Sequence, residues 1–66
     1  MRLTVNGEVK EAPDSATLAE LLASMGIEAS RVAIERNREI APRSLWTEIA
    51  LAEGDQLEIV QFVGGG

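Results

Sequence analysis

The first dozen residues alternate polar and apolar positions as a β-hairpin does. Arg2–Val5 has the two-residue period of a half-buried strand. Asn6-Gly7 follows, and this pair is the strongest short signal for a two-residue hairpin turn because both residues tolerate positive φ. Residues 8–12 are predicted to form the returning strand. Pro13 ends that strand because proline has no N–H to donate to a ladder.

The next segment changes to the period of an amphipathic helix. Thr17 and Glu20 have the spacing of a capping box, in which each side chain accepts a hydrogen bond from the other residue's free amide. An apolar stripe at helical spacing follows and is predicted to face the core. Its members are Leu18, Leu21, Leu22 and Met25. Gly26 suits the left-handed residue that closes a helix, with Ile27 folding back as the hydrophobic contact.

The second half of the chain predicts three further strands and a short helical element. Residues 32–34 and 39–41 form two short strands around a tight turn at Asn37-Arg38. One or two helical turns are predicted over residues 44–49, with Ser44 as the N-cap and Trp46 in the core. The final strand is predicted over residues 57–63, after a turn at 53–55.

This element order predicts an α+β fold. One main helix must cover one face of a mixed sheet of about five strands, because no other element can bury its leucines. The β-grasp, or ubiquitin-like, roll is the architecture that places a single helix across such a sheet, here with a short second helical element. We expect one domain over residues 1–63 and a flexible C-terminal glycine tail over residues 64–66.

The alternation of side chains in the final strand predicts a partner surface. Leu57 and Ile59 should point toward the helix, whereas Val60 and Phe62 should point away from it. Since no other element remains to cover that face, Val60 and Phe62 are predicted to form an apolar patch that binds a partner protein.

Composition narrows the possible functions. The 66 residues include no cysteine and no histidine, so disulfides, thiolate metal sites and histidine bases are excluded. We expect no bound cofactor or metal and no enzyme activity of the chain alone. A net charge of −5 argues against a nucleic-acid partner. Apolar runs are too short for a membrane span, and no signal peptide is evident, which favours a cytoplasmic protein with no membrane partner.

The terminal residues Gly64-Gly65-Gly66 are the strongest candidate for chemistry. Glycine has no Cβ, so such a tail could enter a narrow channel. The Gly66 carboxylate is unhindered and is attached to an achiral carbon, so its activation as an acyl group risks no racemisation.

The chain resembles the ThiS family of ubiquitin-like sulfur carriers over essentially its whole length. No single one of the sequence segments that carry this resemblance is specific to the family, but their occurrence together in this order is specific. These segments are Val5-Asn6-Gly7, Thr17-Leu18 with Leu21-Leu22, residues 32–37, residues 40–43, Trp46, Gly54-Asp55 and residues 58–66.

The resemblance implies a role as a protein co-substrate. In this family an E1-like, ThiF-like adenylyltransferase uses ATP to adenylate the C-terminal carboxylate, here that of Gly66. Sulfur from a donor protein then converts the acyl-adenylate to a thiocarboxylate, which a ThiG-like thiazole synthase uses in thiamin biosynthesis. On this basis Gly66 carries the reaction, and Gly64 and Gly65 give the tail reach and passage into the partner.

Other functions fit parts of the pattern. A MoaD-like carrier for molybdopterin synthesis would share the tail chemistry and differ in its acceptor. A ubiquitin-like modifier would form isopeptide bonds with lysines and leave covalent conjugates. The net negative charge and the terminal glycines argue against a noncatalytic β-grasp binding module.

Overall fold

The computed structural model describes residues 1–62. Five strands and one helix make up the fold, with two short 3₁₀ helices at Ala29–Arg31 and Arg43–Leu45. The strands and the helix are β1 Arg2–Val5, β2 Glu8–Glu11, α1 Leu18–Ser24, β3 Val32–Arg36, β4 Glu39–Ile40 and β5 Gln56–Gln61. The last strand ends at Gln61, before the predicted end at Val63. The domain boundary predicted after residue 63 and the glycine tail at 64–66 lie outside the described residues.

The strands form one mixed sheet in the order β2-β1-β5-β3-β4. β1 pairs with β5 in parallel, whereas the β1–β2, β3–β4 and β3–β5 pairs are antiparallel. β5, the last strand in sequence, therefore lies at the centre of the sheet. This arrangement, with one helix packed on the sheet, is the β-grasp that the element order predicts.

Both hairpins turn through left-handed residues. Asn6 and Gly7 have φ of +50° and +83°, and Asn37 and Arg38 have φ of +52° and +72°. Two successive positive φ values are the requirement of a type I′ turn, whose twist matches that of the flanking strands. Both turns predicted from the sequence are thereby confirmed.

The helix begins and ends as its sequence predicts. The Thr17 hydroxyl accepts from the Glu20 amide at 3.1 Å, and the Glu20 carboxylate accepts from the Thr17 amide at 2.8 Å. At the other end Gly26 has φ of +70°, and the amide of Ile27 donates to the Leu22 carbonyl at 3.0 Å. With the Gly26 amide donating to Ala23, this is a Schellman motif.

The core lies between α1 and one face of the sheet. Trp46 is buried, as predicted, and its Nε1 donates to the carbonyl of Ala41 at 2.9 Å. Buried polar N–H groups cost free energy unless paired, so this bond is what permits an indole in the interior. The largest fully buried side chains are Leu3, Leu18, Leu22, Val32, Ile34 and Leu57.

Ser44 is not a helix cap, and this prediction is wrong. The 3₁₀ helix Arg43–Leu45 already contains Ser44, its N-cap is Pro42, and no side chain caps it. The extended conformation of Pro42 lets its carbonyl accept from the Leu45 amide, so the turn begins two residues earlier than predicted. The remainder of the predicted element, to Ile49, is irregular turn.

Five strand boundaries also differ, and two of them belong to β5, which runs from Gln56 to Gln61 and not over the predicted residues 57–63. β2 ends at Glu11 and β4 at Ile40, each one residue early, while β3 continues to Arg36. β3 is longer than its apolar residues indicate because Glu35 and Arg36 pair with β4 and β5. The 3₁₀ helix at Ala29–Arg31 has no counterpart in the predicted elements.

Asp55 is the one buried charged residue among those described. Its carboxylate accepts from Arg36 Nε at 2.9 Å, from Asn37 Nδ2 at 3.0 Å and from the Ala52 amide at 2.9 Å. Asn37 Oδ1 in turn accepts from the Gln56 amide at 2.9 Å. The network thus joins the β3–β4 hairpin to the start of β5.

The network holds the pKa of Asp55 below its ordinary value. Burial by itself would raise this pKa, but the hydrogen bonds from Asn37, the Ala52 amide and Arg36, with the Arg36 charge, outweigh it. The folded state therefore favours the carboxylate more than the unfolded state does. The resulting stability is present above the unfolded pKa, near 3.8, and is lost as the pH falls through the lower folded value.

Leu22→Ala tests the packing of α1. Leu22 is 2% exposed, and deletion of a buried leucine side chain costs about 2–5 kcal/mol in free energy of unfolding. We expect a large fall in the unfolding midpoint measured by circular dichroism. Leu45→Ala is the matched control, because Leu45 is exposed and should change the midpoint little. Equal midpoints for the two variants would contradict the packing.

Asp55→Asn tests the network and its pH dependence. At pH 7 the asparagine cannot accept all three hydrogen bonds, and we expect a loss of about 1–3 kcal/mol in free energy of unfolding. Denaturant titrations from pH 7 to pH 2 should show the difference from wild type shrinking below pH 3.8. Glu8→Gln, at an exposed carboxylate, controls for loss of charge. A difference independent of pH would show that the Asp55 charge is not what stabilises the hairpin.

Candidate functional site

The end of β5 carries the predicted partner surface. Leu57 is fully buried and Ile59 packs against the core, whereas Val60 and Phe62 are 61% and 59% exposed. The side chains thus face as the alternation predicts. Whether Val60 and Phe62 bind a partner stays a prediction. Gly64, Gly65 and Gly66 lie outside the described residues.

β3 holds one side of this segment. Val60 lies opposite Ala33 in the antiparallel β3–β5 ladder, which continues to the pair of Val32 and Gln61. The amide of Phe62 then donates to the carbonyl of Arg31 at 2.8 Å. Main-chain hydrogen bonds therefore fix the path of β5 as far as Phe62 on this side.

On the other side, β1 and the Asn6 that follows it hold β5 only as far as Ile59. The amide of Asn6 donates to the Leu57 carbonyl at 2.8 Å, after which the chain turns away through Asn6 and Gly7. The Asn6 side chain makes the next contact: Oδ1 accepts from the Ile59 amide at 2.7 Å, and Nδ2 donates to the Ile59 carbonyl at 3.2 Å. One side-chain amide therefore satisfies both main-chain groups of Ile59.

The sheet face turned away from α1, called here the outer face, combines apolar and acidic side chains. Glu58 of β5 lies directly opposite Glu35 of β3, and Ile40 of β4 is opposite Glu35 on its other side. All three are exposed, and Val60 follows two residues after Glu58. Like charges at directly opposed positions repel each other, so this face favours a partner with basic groups.

The two carboxylates have no basic partner in residues 1–62. The ion pairs there are the N-terminal amine with Asp14, Arg2 with Glu11, Arg31 with Glu28 and Arg36 with Asp55. Sequence reasoning missed the opposition of Glu35 and Glu58, since strand register depends on long-range pairing. Turn chemistry at Asn37-Arg38 sets only the register of β3 with β4, so no local signal gives the β3–β5 pairing.

A second candidate site is a shallow cavity of about 370 Å³ between α1 and the loop that precedes it. Three carboxylates line it, but each already has a partner. Glu11 pairs with Arg2, Asp14 with the N-terminal amine, and Glu20 with the Thr17 amide. All three carboxylates at this cavity are therefore already paired.

Residues 1–62 contain neither a metal-binding cluster nor a membrane-spanning helix. This described part of the chain holds no group of three or more His, Cys, Asp or Glu side chains placed to bind a metal ion. None of its helices has the length and apolar character needed to cross a membrane.

Comparison with known proteins identifies relatives that match essentially the whole of this chain. The model of the ThiS family matches residues 3–66. The chain is 45% identical over 65 residues to the sulfur carrier protein ThiS of Bacillus subtilis, covering 97% of this chain and 98% of that one. It is also 46% identical over 66 residues to a thiazole synthase of Paramagnetospirillum magneticum, covering all of this chain.

The lengths of these relatives differ. The chain spans only 20% of the length of the thiazole synthase from Paramagnetospirillum magneticum, and the same share of one from Magnetococcus marinus. Among solved structures, the crystal structure of the thiamine biosynthesis protein (ThiS) from Geobacter metallireducens superposes with a TM-score of 0.85 at 33% identity. That match covers 100% of both chains.

Proposed function

The chain belongs to the ThiS family, and on that premise we propose that it is a sulfur carrier for thiamin biosynthesis. The observation that carries the proposal is the match to the Bacillus subtilis carrier, because it covers nearly the whole of both chains. The family match also extends through Gly66, where the proposed chemistry takes place.

The reacting group is the Gly66 carboxylate. Charge and resonance make a carboxylate a poor electrophile, so it must first be activated. An E1-like adenylating enzyme joins one of its oxygens to the α-phosphorus of ATP and releases pyrophosphate. A sulfur nucleophile from a donor protein then attacks the acyl carbon of the mixed anhydride, and AMP leaves with the electron pair of the broken bond. The nucleophile is the outer sulfur of a donor persulfide, so the product is an acyl disulfide. A partner thiol then attacks the donor's sulfur, forms a disulfide with it, and leaves the thiocarboxylate on Gly66.

The protein acts as a co-substrate in this scheme, and ATP binds to its partner. Cysteine and histidine are absent from the sequence, so the nucleophile and the usual base must come from the partner proteins. Gly64 and Gly65 present no side chain to the entrance of a narrow active site. The chain therefore contributes the carboxylate and the means of delivering it.

The outer face at the end of β5 is the proposed docking surface. Val60 and Phe62 supply exposed apolar area, and Glu35 and Glu58 supply negative charge beside it. A partner surface with an apolar centre and basic groups would bury the first pair and relieve the repulsion within the second. Because these residues precede the tail closely, docking would bring Gly66 to the partner's active site.

The thiazole synthase is the proposed acceptor of the sulfur. Two relatives with that name each contain a segment similar to this chain within a polypeptide about five times as long. A segment held in one polypeptide with its acceptor has a high effective concentration at the acceptor's active site. Their occurrence supports thiazole formation over molybdopterin synthesis as the destination.

Deletion of Gly65 and Gly66 tests the carrier function. The truncated protein should lose ATP–pyrophosphate exchange with the adenylating enzyme, because the reacting carboxylate is displaced by two residues. The circular dichroism spectrum and unfolding midpoint should stay those of wild type, since residues 1–62 contain the core. Exchange at the wild-type rate would refute the proposal.

The mass of the protein from cells that make thiamin gives an independent check. A sulfur carrier should appear partly as a species heavier by the difference between one sulfur and one oxygen. Covalent conjugates with other proteins, and no such species, would indicate a ubiquitin-like modifier instead.

Phe62→Ala and Val60→Ala test the docking surface. Both side chains are exposed, so truncation should change the unfolding midpoint little, while the dissociation constant for the adenylating enzyme should rise. The loss should reach about 2 kcal/mol in binding free energy if Phe62 is a hot spot. Val9→Ala is the matched control for Val60→Ala, because Val9 is 62% exposed and lies on β2, two strands from β5. Wild-type affinity in stable variants would exclude this surface.

A further inference from the structure

The Asn6 side chain extends the parallel β1–β5 ladder by one position beyond the end of β1. The β1–β5 register ends at the pair of Val5 and Leu57, and the chain then turns away. Two residues along β5, the Ile59 amide and carbonyl still face that side. Asn6 Oδ1 accepts from that amide at 2.7 Å, and Asn6 Nδ2 donates to that carbonyl at 3.2 Å. The side-chain amide thus acts as a peptide unit of a neighbouring strand would.

Two separate requirements meet at this position. The first turn residue needs φ of +50°, which asparagine, aspartate and glycine tolerate best. The Ile59 contact needs one donor and one acceptor side by side. Aspartate has no donor when ionised, and glycine has no side chain, so asparagine is the residue that meets both requirements.

Ile59 is the last β5 residue that is held from both sides in residues 1–62. Beyond it, Val60, Gln61 and Phe62 are held by β3 and Arg31 alone. This is the segment that carries the proposed docking side chains, and Gly66 lies seven residues beyond Ile59. The point at which β5 is anchored therefore precedes both the docking surface and the reacting carboxylate.

We infer that Asn6 is a positioning residue for the carrier reaction: its side chain anchors β5 at Ile59 and so orders residues 60–62 for docking. The expected effect of Asn6 on adenylation rests on the proposed function. Its expected effect on the order of residues 60–62 rests on the Asn6–Ile59 geometry alone. Asn6 does not touch the reacting atoms. It acts by lowering the conformational freedom that docking would otherwise have to remove.

The second hairpin supplies a matched comparison within the same chain. Asn37 occupies the same position of the other type I′ turn, with φ of +52°, and its Oδ1 also accepts from a β5 amide. That amide belongs to Gln56, at the start of β5, and the Asn37 Nδ2 bonds to Asp55. Asn37 thus makes the same type of contact at the end of β5 that is remote from the tail.

Asn6→Gly and Asn37→Gly are the test variants, because glycine keeps either turn and removes only the side-chain amide. The first readout is amide hydrogen exchange of the full chain by NMR. Asn6→Gly removes both hydrogen bonds to Ile59, and their joint loss corresponds to roughly a tenfold change in an opening equilibrium. Asn6→Gly should therefore speed exchange of the Phe62 amide by about tenfold relative to the Asn37 amide, which also bonds across the β3–β5 ladder.

The second readout is the adenylation rate as a function of carrier concentration, at a temperature well below every unfolding midpoint. Asn6→Gly should raise KM for the carrier by about tenfold, with kcat within about twofold of wild type, because ordering is needed at docking. Asn37→Gly should lower the unfolding midpoint more and leave KM within about twofold of wild type. Asn6→Asp, which keeps the acceptor for the Ile59 amide, should have an intermediate KM.

The outcomes separate this inference from the proposed function. Unchanged exchange at Phe62 in Asn6→Gly overturns the positioning inference, whatever the activity. Equal rises in KM for Asn6→Gly and Asn37→Gly would also overturn it, since they would assign both effects to general stability. Failure of the wild-type protein to be adenylated would instead overturn the proposed function, and the exchange data would still decide whether Asn6 orders residues 60–62.

Discussion

The rest of the structure depends on how β5 is held at the centre of the sheet. A central strand must have its main-chain groups satisfied from both sides, and β5 has a parallel neighbour on one side and an antiparallel one on the other. Both neighbours belong to hairpins that turn at an asparagine, and both asparagines bond to β5 with their side chains. The two hairpins thus fix the strand that precedes the C-terminal glycines in sequence.

Signals that act within a few residues predicted the local structure well. The capping box at Thr17, the left-handed Gly26 and the Asn-Gly turn each rest on backbone chemistry confined to one turn of chain, and each is confirmed. The Ser44 cap is also a local prediction, and it is wrong because Pro42 is the N-cap and starts the 3₁₀ helix earlier. Chain composition and helix amphipathicity sufficed for the fold class, since one helix leaves few ways to cover one sheet.

Features that depend on pairing between distant strands could not be obtained from the sequence. Asp55 reads as a turn residue, yet it is buried because the β3–β4 hairpin places Arg36 and Asn37 beside it. Glu35 and Glu58 read as solvated charges, yet the β3–β5 register sets them opposite each other. Asn6 reads as a turn residue only, and its contact with Ile59 requires the parallel pairing of β1 with β5.

The arrangement separates the groups that stabilise the fold from those on the proposed docking surface. Apolar side chains on the inner face of β5, such as Leu57, are buried with α1, and the charge of Asp55 is satisfied within the domain. On the outer face, the exposed Val60 contributes little to the stability of the fold. The opposed Glu35 and Glu58 lower that stability through their mutual repulsion. A domain this small has little stability to spare. An acidic pair beside exposed apolar residues is therefore consistent with the proposed docking surface, where a basic partner surface would relieve the repulsion and orient the contact with Val60.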